Sequence, residues 1–194
     1  MVSGERLANT GPLSFGAFAT TLMTISLSMM GFRAVSNQTI FIANLCFLAG
    51  LGLLMSAQWE MIKGNTFNYT VLAAFGFYYG DYGVLLLPPL GIVDSYGGKT
   101  TEYYNAFGFY LLVWSILNFF FFLASLPTNV INITIYGALE LSYIFNSGAF
   151  GFTSSVAGFY MLCHELCQHA LPFKMPLFET GRFFSGPRYG VKSS

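Results

Sequence analysis

The stretch GNTFNYTVLAAFGFYYGDYGVLLLPPLG, residues 64–91, is almost entirely apolar and carries a single charged side chain, Asp81. A helix needs about 20 predominantly apolar residues to cross a bilayer, and residues 67–87 meet that length. Pro88 and Pro89 then end the helix, because proline lacks the N–H that an interior helical position donates. The stretch therefore predicts a membrane-spanning helix, and it raises the question of why a carboxylate lies near its middle.

The composition of the whole chain fits the same environment. Its 194 residues are 55% hydrophobic, 19% aromatic and only 8% charged, whereas an average soluble domain is about 25% charged. So few charges cannot cover a water-facing surface, so the chain is predicted to be a multi-pass membrane protein with the lipid bilayer as its main partner. The net charge is zero, which argues against nucleic acid as a partner.

Further apolar runs of similar length lie on both sides of this span. The predicted spans are 12–32, 39–59, 67–87, 106–126, 130–146 and 149–169. Pro127 and Asn129 divide a charge-free run that is too long for one crossing. The predicted fold is an all-α membrane protein built as a six-transmembrane-helix bundle. It has a polar N-terminal segment (1–11), a transmembrane domain (12–170) and a C-terminal tail (171–194).

The positive charges predict the orientation of the bundle. Six spans place both termini on one side of the membrane. That side carries Arg6, Lys63, Lys174, Arg182, Arg188 and Lys192, and the opposite side carries Arg33 and Lys99. Because lysine and arginine are enriched on the cytoplasmic side, both termini are expected to be cytoplasmic or matrix-side, in the plasma membrane or an organelle membrane.

The segment HELCQH, residues 164–169, is similar to a zinc-protease motif but has the wrong spacing. That motif places its histidines four residues apart on one helix face. His164 and His169 are five apart, which separates them by about 140° around a helix. We expect no metal site and no cofactor. Because no nucleophile–base set is found either, the chain is not expected to be an enzyme.

Two acidic residues, Asp81 and Glu140, lie within predicted spans. A carboxylate inside a bilayer costs a few kcal/mol or more, so it usually faces the bundle interior, finds a partner or takes up a proton. One hypothesis is a proton relay. The other is a structural anchor that ties helices together or binds a partner subunit, and the residues alone leave both open.

Two motifs then connect the chain to a known family. NTGPLSFGAFATT (residues 9–21) and WEMIKGNTF (residues 59–67) resemble the acetate uptake transporter family. This family includes the bacterial acetate–succinate permease and the yeast acetate permease and ammonia-export proteins. Its Glu-x-x-x-Gly-Asn-Thr-Phe motif is intact from Glu60 to Phe67, and the resemblance extends over about residues 7–172.

The resemblance implies a fold, a function and a set of site residues. The fold is six helices around a narrow path in each protomer, as in the acid-gated urea channels, with protomers assembled as homo-hexamers. The implied function is passage of a small monocarboxylate such as acetate, and also of succinate, with proton coupling. The implied constriction is Phe18, Phe75 and Leu139, and the implied substrate-binding residues are Asn9, Thr20 and Thr21.

Departures from the family pattern keep other hypotheses open. The constriction tyrosine is replaced by Phe75, and Pro127 stands where the family has an arginine. An entirely apolar gate resists a charged carboxylate. A first alternative is therefore a relative that no longer transports and serves as a structural subunit beside other membrane subunits. A further alternative is export of ammonia or ammonium.

Overall fold

The structure, a computed structural model, describes residues 8–167, 170, 173 and 175–184. Six long helices carry the fold in this part of the chain. They are α1 (Gly11–Met29), α2 (Thr39–Ile62), α3 (Thr66–Leu85), α4 (Thr101–Ser125), α5 (Val130–Phe145) and α6 (Gly148–Cys167). Each begins and ends within a few residues of a predicted span. The predicted all-α six-helix bundle is confirmed, and the hexamer stays a prediction.

Short polar side chains fix where several of these helices begin. The side-chain oxygens of Asn65, Thr100 and Asn129 accept backbone N–H groups in the first turns of α3, α4 and α5. Such caps satisfy N–H groups that have no partner inside the helix. Pro12 opens α1, where its missing N–H costs nothing. Local sequence therefore sets the starts of four helices in a bundle whose packing is otherwise apolar.

The helix α2 is irregular at the end where it packs closely on α3. It begins with the 3₁₀ turn Thr39–Phe41 and continues as the π-helical segment Asn44–Leu51. An added Cβ at Gly76 of α3 would lie 3.0 Å from the Gly50 carbonyl oxygen. Glycine at position 76 therefore lets the backbones of α2 and α3 approach closely. Small residues are common at helix contacts in membranes, because the hydrophobic effect contributes little to helix association in lipid.

The helices form a ring around a central axis. In order around the ring, α3 packs on α2, α2 on α1, α1 on α6, α6 on α5, and α5 on α4. Aromatic rings close the ring between α3 and α4, with the centroids of Tyr78 and Trp114 5.0 Å apart and those of Phe75 and Phe121 5.9 Å apart. A ring of helices leaves its axis free for a path.

Three of the six long helices, or four with a bent pair, are long and apolar enough to cross a bilayer. By length and composition, α1, α2 and α4 are each able to cross a membrane, and α3 qualifies together with Pro88–Ser95, which is bent from it by 68°. The shortest long helix, α5, spans about 24 Å at 1.5 Å per residue. Large apolar side chains such as Phe47 and Phe109 are exposed on the outside. These faces are suited to acyl chains.

The described part of the tail folds back onto the bundle. Residues 175–184 run beside the connection between α4 and α5, where the Val130 N–H donates to the Phe178 carbonyl (3.1 Å) and the Thr180 hydroxyl donates to the Leu126 carbonyl (2.6 Å). The tail is thus partly fixed by backbone pairing. Other residues used in the sequence analysis lie outside the described residues: Arg6, His169, Lys174, Arg188 and Lys192. The three-part division of the chain stays a prediction.

Candidate functional site

Four cavities follow the axis of the bundle. An acidic mouth of about 420 Å³ lies where α1 and α3 begin and α2 and α6 end. A small chamber of about 30 Å³ lies further in and shares lining residues with it, including Phe15 and Tyr136. A hydroxyl chamber of about 50 Å³ and an aromatic mouth of about 670 Å³ lie toward the opposite end and share Tyr82, Phe107 and Asn146. The cavities define a candidate path.

The acidic mouth is organised by the buried carboxylate of Glu60. Its Oε1 accepts hydrogen bonds from the Thr10 hydroxyl and from Lys63 Nζ (3.0 Å). Its Oε2 accepts from Asn65 Nδ2 (2.8 Å) and Asn68 Nδ2 (3.3 Å). The carboxylate therefore joins the beginning of α1 to the turn between α2 and α3, which physically links the two family motifs.

The other residues of this motif shape that turn. Gly64 has φ +75°, a left-handed conformation that costs a residue with a Cβ about 1–2 kcal/mol. In this turn the Asn65 N–H donates a hydrogen bond to the Glu60 carbonyl (3.0 Å). Asn65 Oδ1 then accepts the Asn68 N–H and caps α3. The spacing of glutamate, glycine and asparagine is what this turn requires.

Asn9 lies at the same mouth, as the sequence predicted for a substrate-binding residue. Its Oδ1 accepts the Gly11 N–H (3.0 Å), and its Nδ2 donates to Glu165 Oε2 (2.5 Å) on α6. Glu165 is a residue of this site that the sequence analysis missed, because it lies next to the HELCQH histidines and was considered only with them. The mouth therefore contains two carboxylates, from Glu60 and Glu165, and the ammonium group of Lys63.

The predicted constriction lies between the two chambers. Phe18, Phe75 and Leu139 are 5%, 4% and 3% exposed and belong to one packed cluster. The Phe18 ring centroid is 6.1 Å from that of Phe75 and 6.4 Å from that of Tyr79, and Phe75 stacks on Tyr136 at 6.3 Å. We call Phe18, Phe75, Tyr79 and Leu139 the gate. The sequence around Asp81 indicates Tyr79 only as one of three tyrosines able to line a narrow path, and the structure places it one turn after Phe75 on the same helix face.

The gate is closed in this structure. Phe18 and Phe75 line the small chamber, and Leu139 and Tyr79 line the hydroxyl chamber. Among the described residues the two chambers have no lining residue in common. A solute on either side must therefore displace at least one of these side chains to pass.

Thr20 and Thr21 do not lie on the path. The Thr21 side chain is fully buried, with its hydroxyl 3.4 Å from the Asn44 carbonyl between α1 and α2. Thr20 lines none of the four cavities. The reason is helical periodicity, since Thr20 is turned about 200° from Phe18 around α1. A substrate-binding role for either threonine stays a prediction without geometric support.

The two intramembrane acids are also placed off the path. Asp81 is exposed on the outer surface of α3. Glu140 lies between α4 and α5, where it accepts hydrogen bonds from the Ser115 hydroxyl (2.5 Å) and Asn118 Nδ2 (2.7 Å). Asn118 Nδ2 also donates to the Tyr136 carbonyl (3.1 Å). Neither acid lines a described cavity, so the geometry favours anchoring for Glu140 and an outward-facing contact for Asp81, and the relay stays a prediction.

Metal chemistry has no support in the described part of the chain. No group of three His, Cys, Asp or Glu side chains there is arranged to hold an ion. The His164 ring nitrogen Nδ1 lies 3.0 Å from the Met175 carbonyl, so this histidine helps hold the tail.

A six-helix membrane bundle with a mouth at each end and an apolar closure between them is the architecture of a channel or permease. Residues 1–149 match the model of the GPR1/FUN34/yaaH family, and the chain belongs to that family. The predicted family is confirmed. The chain's relatives are named as transporters and channels. The prediction that the chain is not an enzyme is therefore also confirmed.

Similar proteins are named for transport of small solutes. The acetate transporter protein patA of Aspergillus clavatus is 32% identical over 89% of this chain and 78% of its own length. The acetate transporter protein patA of Penicillium expansum is 31% identical over 93% of this chain and 81% of its own length. The ammonia transport outward protein 2 of Saccharomyces cerevisiae is 28% identical over 78% of this chain and 54% of its own length. The structure of the bacterial acetate channel SatP matches with a TM-score of 0.70 at 22% identity, over 89% of this chain and 99% of the other, which supports the fold.

Proposed function

We propose that this chain is a permease for acetate and other short monocarboxylates, which cross the membrane along the path through the gate. The observation that carries the proposal is the sequence of mouth, chamber, gate, chamber and mouth along one axis. A purely structural subunit has no need of buried chambers on both sides of a thin closure. The family membership and the acetate transporters among the relatives support the same substrate class.

The gate determines the form in which the substrate crosses. Phe18, Phe75 and Leu139 present ring and aliphatic surface, and such a constriction excludes water and ions when it is narrow. A bare carboxylate entering it would lose its hydration without gaining a cation, at a cost of many kcal/mol. Passage as the neutral acid avoids that cost. The proton then travels on the substrate, which is how we propose that proton coupling arises in this chain.

The acidic mouth fits this scheme. Glu60 is paired with Lys63 and accepts hydrogen bonds from amide donors, while Glu165 adds a second carboxylate at the cavity wall, where Asn9 donates to it, so that two acids face one lysine. An amide can hydrogen-bond both the carbonyl and the hydroxyl of a neutral acid. We propose that Asn9 is the first substrate contact on this side and that the nearby carboxylates disfavour accumulation of the anion.

A second candidate function is passage of ammonia or ammonium. The observation that favours it is the same pair of carboxylates at one mouth, since negative charge concentrates a cation before it loses a proton to cross an apolar gate. The yeast relative named for outward ammonia transport supports it. Flux measured in the same vesicles with methylammonium and with acetate separates the two functions.

The test is uptake of labelled acetate into liposomes containing the purified protein. Phe18→Ala, Phe75→Ala and Leu139→Ala each remove bulk from the closure and are expected to raise the uptake rate several-fold. Phe109→Ala, which removes an equally large ring from the lipid-facing surface, is the matched control and should leave the rate unchanged. Absence of uptake at every pH, in vesicles where the protein is shown to be inserted and folded, would refute the proposal and favour a structural subunit.

The finer predictions remain part of the proposal. These are passage of succinate, assembly as a homo-hexamer, contact with other membrane subunits, and termini on the cytoplasmic or matrix side. A larger, doubly acidic substrate needs a wider opening of the gate than acetate. Gate variants are therefore expected to raise succinate uptake by a larger factor than acetate uptake.

A further inference from the structure

The connection between α1 and α2, residues 30–38, is loosely held. Residues 31–37 are all exposed, and Arg33 and Ala34 have φ of +53° and +61°. Such left-handed conformations are strained for residues with a Cβ. The backbone hydrogen bonds of the connection are local, such as that from the Ala34 N–H to the Gly31 carbonyl (3.0 Å). An exposed and strained segment with little packing has low local stability, so it moves more easily than the helices it joins.

A single side-chain hydrogen bond joins this connection to α3. The Tyr82 hydroxyl donates to Gln38 Oε1 at 2.8 Å. Asn37 accepts only from Thr39, at the start of α2. In the part of the chain that the structure describes, no other side-chain hydrogen bond joins residues 30–38 to a helix other than α2. The position of the connection against α3 therefore depends on Tyr82 and Gln38.

The Tyr82 side chain lies where the aromatic mouth meets the hydroxyl chamber. It lines both cavities, as do Phe107 and Asn146, and Gln38 lines the aromatic mouth. The Tyr82 ring centroid is 6.2 Å from that of Tyr78 and 6.3 Å from that of Phe107. The hydrogen bond thus holds the connection against a wall of aromatic rings at the junction of the two cavities.

We propose that residues 30–38 form a lid on the aromatic mouth, and that the hydrogen bond between Tyr82 and Gln38 is the latch that holds this lid closed. The closed lid narrows the way from the aromatic mouth into the hydroxyl chamber, so the path has a second closure in series with the gate. The role of the lid in transport rests on the proposed function. The latch itself is observable without transport.

Labelling of a cysteine behind the lid measures how often the lid opens. Ser142 lines the hydroxyl chamber and not the aromatic mouth, so Ser142→Cys is the reporter, in a chain whose Cys46, Cys163 and Cys167 are replaced by alanine. The small thiol reagent methyl methanethiosulfonate is added to the detergent-solubilised protein, and the labelled fraction is followed by mass spectrometry. Because the closed gate blocks the other route, the labelling rate reports opening at the aromatic mouth.

The latch is tested with both partners and with a matched control. Tyr82→Phe removes the donor and keeps the ring, and Gln38→Leu removes the acceptor. Each is expected to raise the labelling rate about 2- to 10-fold, which corresponds to about 0.5–1.5 kcal/mol for one net hydrogen bond. The double variant should label no faster than either single variant, because all three lose the same interaction. Tyr110→Phe should leave the rate unchanged, because Tyr110 lines the same mouth but its hydroxyl donates to the Tyr78 carbonyl.

The outcomes separate this inference from the proposed function. An unchanged labelling rate in both single variants overturns the latch, and so does a double variant whose rise is the product of the two single rises. An equal rise in Tyr110→Phe indicates general loosening and overturns it as well. If the natural chain takes up acetate in any of these cases, the permease stands without a lid. If it takes up no acetate but labelling follows the expected pattern, the permease is refuted and the latch stands.

Discussion

Gly158 is the position at which a single methyl group tests whether the Phe18 ring moves. The ring lies between Phe75 of α3 and the backbone of α6 at Gly158. A Cβ added at Gly158 would lie 3.0 Å from Phe18 Cδ1 and 3.1 Å from both Phe18 Cε1 and Ala19 Cβ. Moving the Phe18 ring away from Phe75 presses it toward α6, where it already packs on Gly158 and fits because this residue has no side chain.

The size of the effect follows from these distances. Ordinary contacts begin at 3.4 Å, so Gly158→Ala forces the neighbouring atoms to give by about 0.4 Å. Overpacking of this kind costs about 1–3 kcal/mol. In the closed state the Phe18 ring relieves the strain by shifting toward Phe75, whereas in the open state it cannot. The strain therefore raises the opening barrier, and with 1.4 kcal/mol per factor of ten the acetate flux should fall about 5- to 100-fold.

The assay is acetate uptake in liposomes containing equal amounts of inserted protein. Gly108→Ala is the control, because Gly108 is also inside a helix and an added Cβ there meets nothing within 4 Å. Phe18→Leu introduced into the Gly158→Ala variant removes the ring that clashes and should restore most of the flux. Uptake at the natural rate in Gly158→Ala, or failure of the second substitution to restore it in a folded protein, would refute a gate that opens by movement of Phe18.

Three further predictions concern the acidic mouth and the outer surface. Gly64→Ala should lower the free energy of unfolding by about 1–2 kcal/mol, measured by denaturant titration in detergent, because its φ of +75° is left-handed. Glu60→Gln exchanges an acceptor for a donor facing Asn65 and should cost about 1–3 kcal/mol in the same titration, and an unchanged midpoint would contradict the hydrogen-bond network. Asp81→Asn should leave the pH profile of uptake unchanged, because Asp81 is exposed and lines no described cavity, and a shifted profile would support the proton relay.

The sequence predicted the helices well because the bilayer imposes a strong and simple pattern. Apolar runs of about 20 residues, interrupted by polar and proline-containing turns, reproduce the six helices to within a few residues. The π-helical segment Asn44–Leu51 was not predicted. It lies where α2 packs on glycines of α3, and hydropathy does not distinguish one helix type from another.

The predicted site residues lie beside the cavities only where motif and helix face agree, and their roles stay predictions. Phe18 and Phe75 came from the family motifs and do pack against each other. Thr20 and Thr21 belong to the same motif, but the helical period turns Thr20 away from the path, and Thr21 is buried against the Asn44 carbonyl of α2. Tyr79 lies one turn after Phe75 on the same face of α3, whereas Glu165 reaches the site from α6 through packing that one sequence does not reveal. Spacing along a helix therefore indicated which residues share a face, whereas contacts between helices could not be predicted from the sequence.

Three of the acids within or near the membrane, Glu60, Glu140 and Asp81, show how their charge is compensated. Glu60 lies at a helix end, where Lys63 and amide donors compensate it. Glu140 lies between two helices, where a hydroxyl and an amide donate hydrogen bonds to its two oxygens. Asp81 is exposed one turn before the end of α3. The free-energy cost of placing its carboxylate in the membrane therefore falls if the side chain reaches the headgroups or a neighbouring subunit. None of the three lies in the gate, which leaves that closure free to favour an uncharged solute.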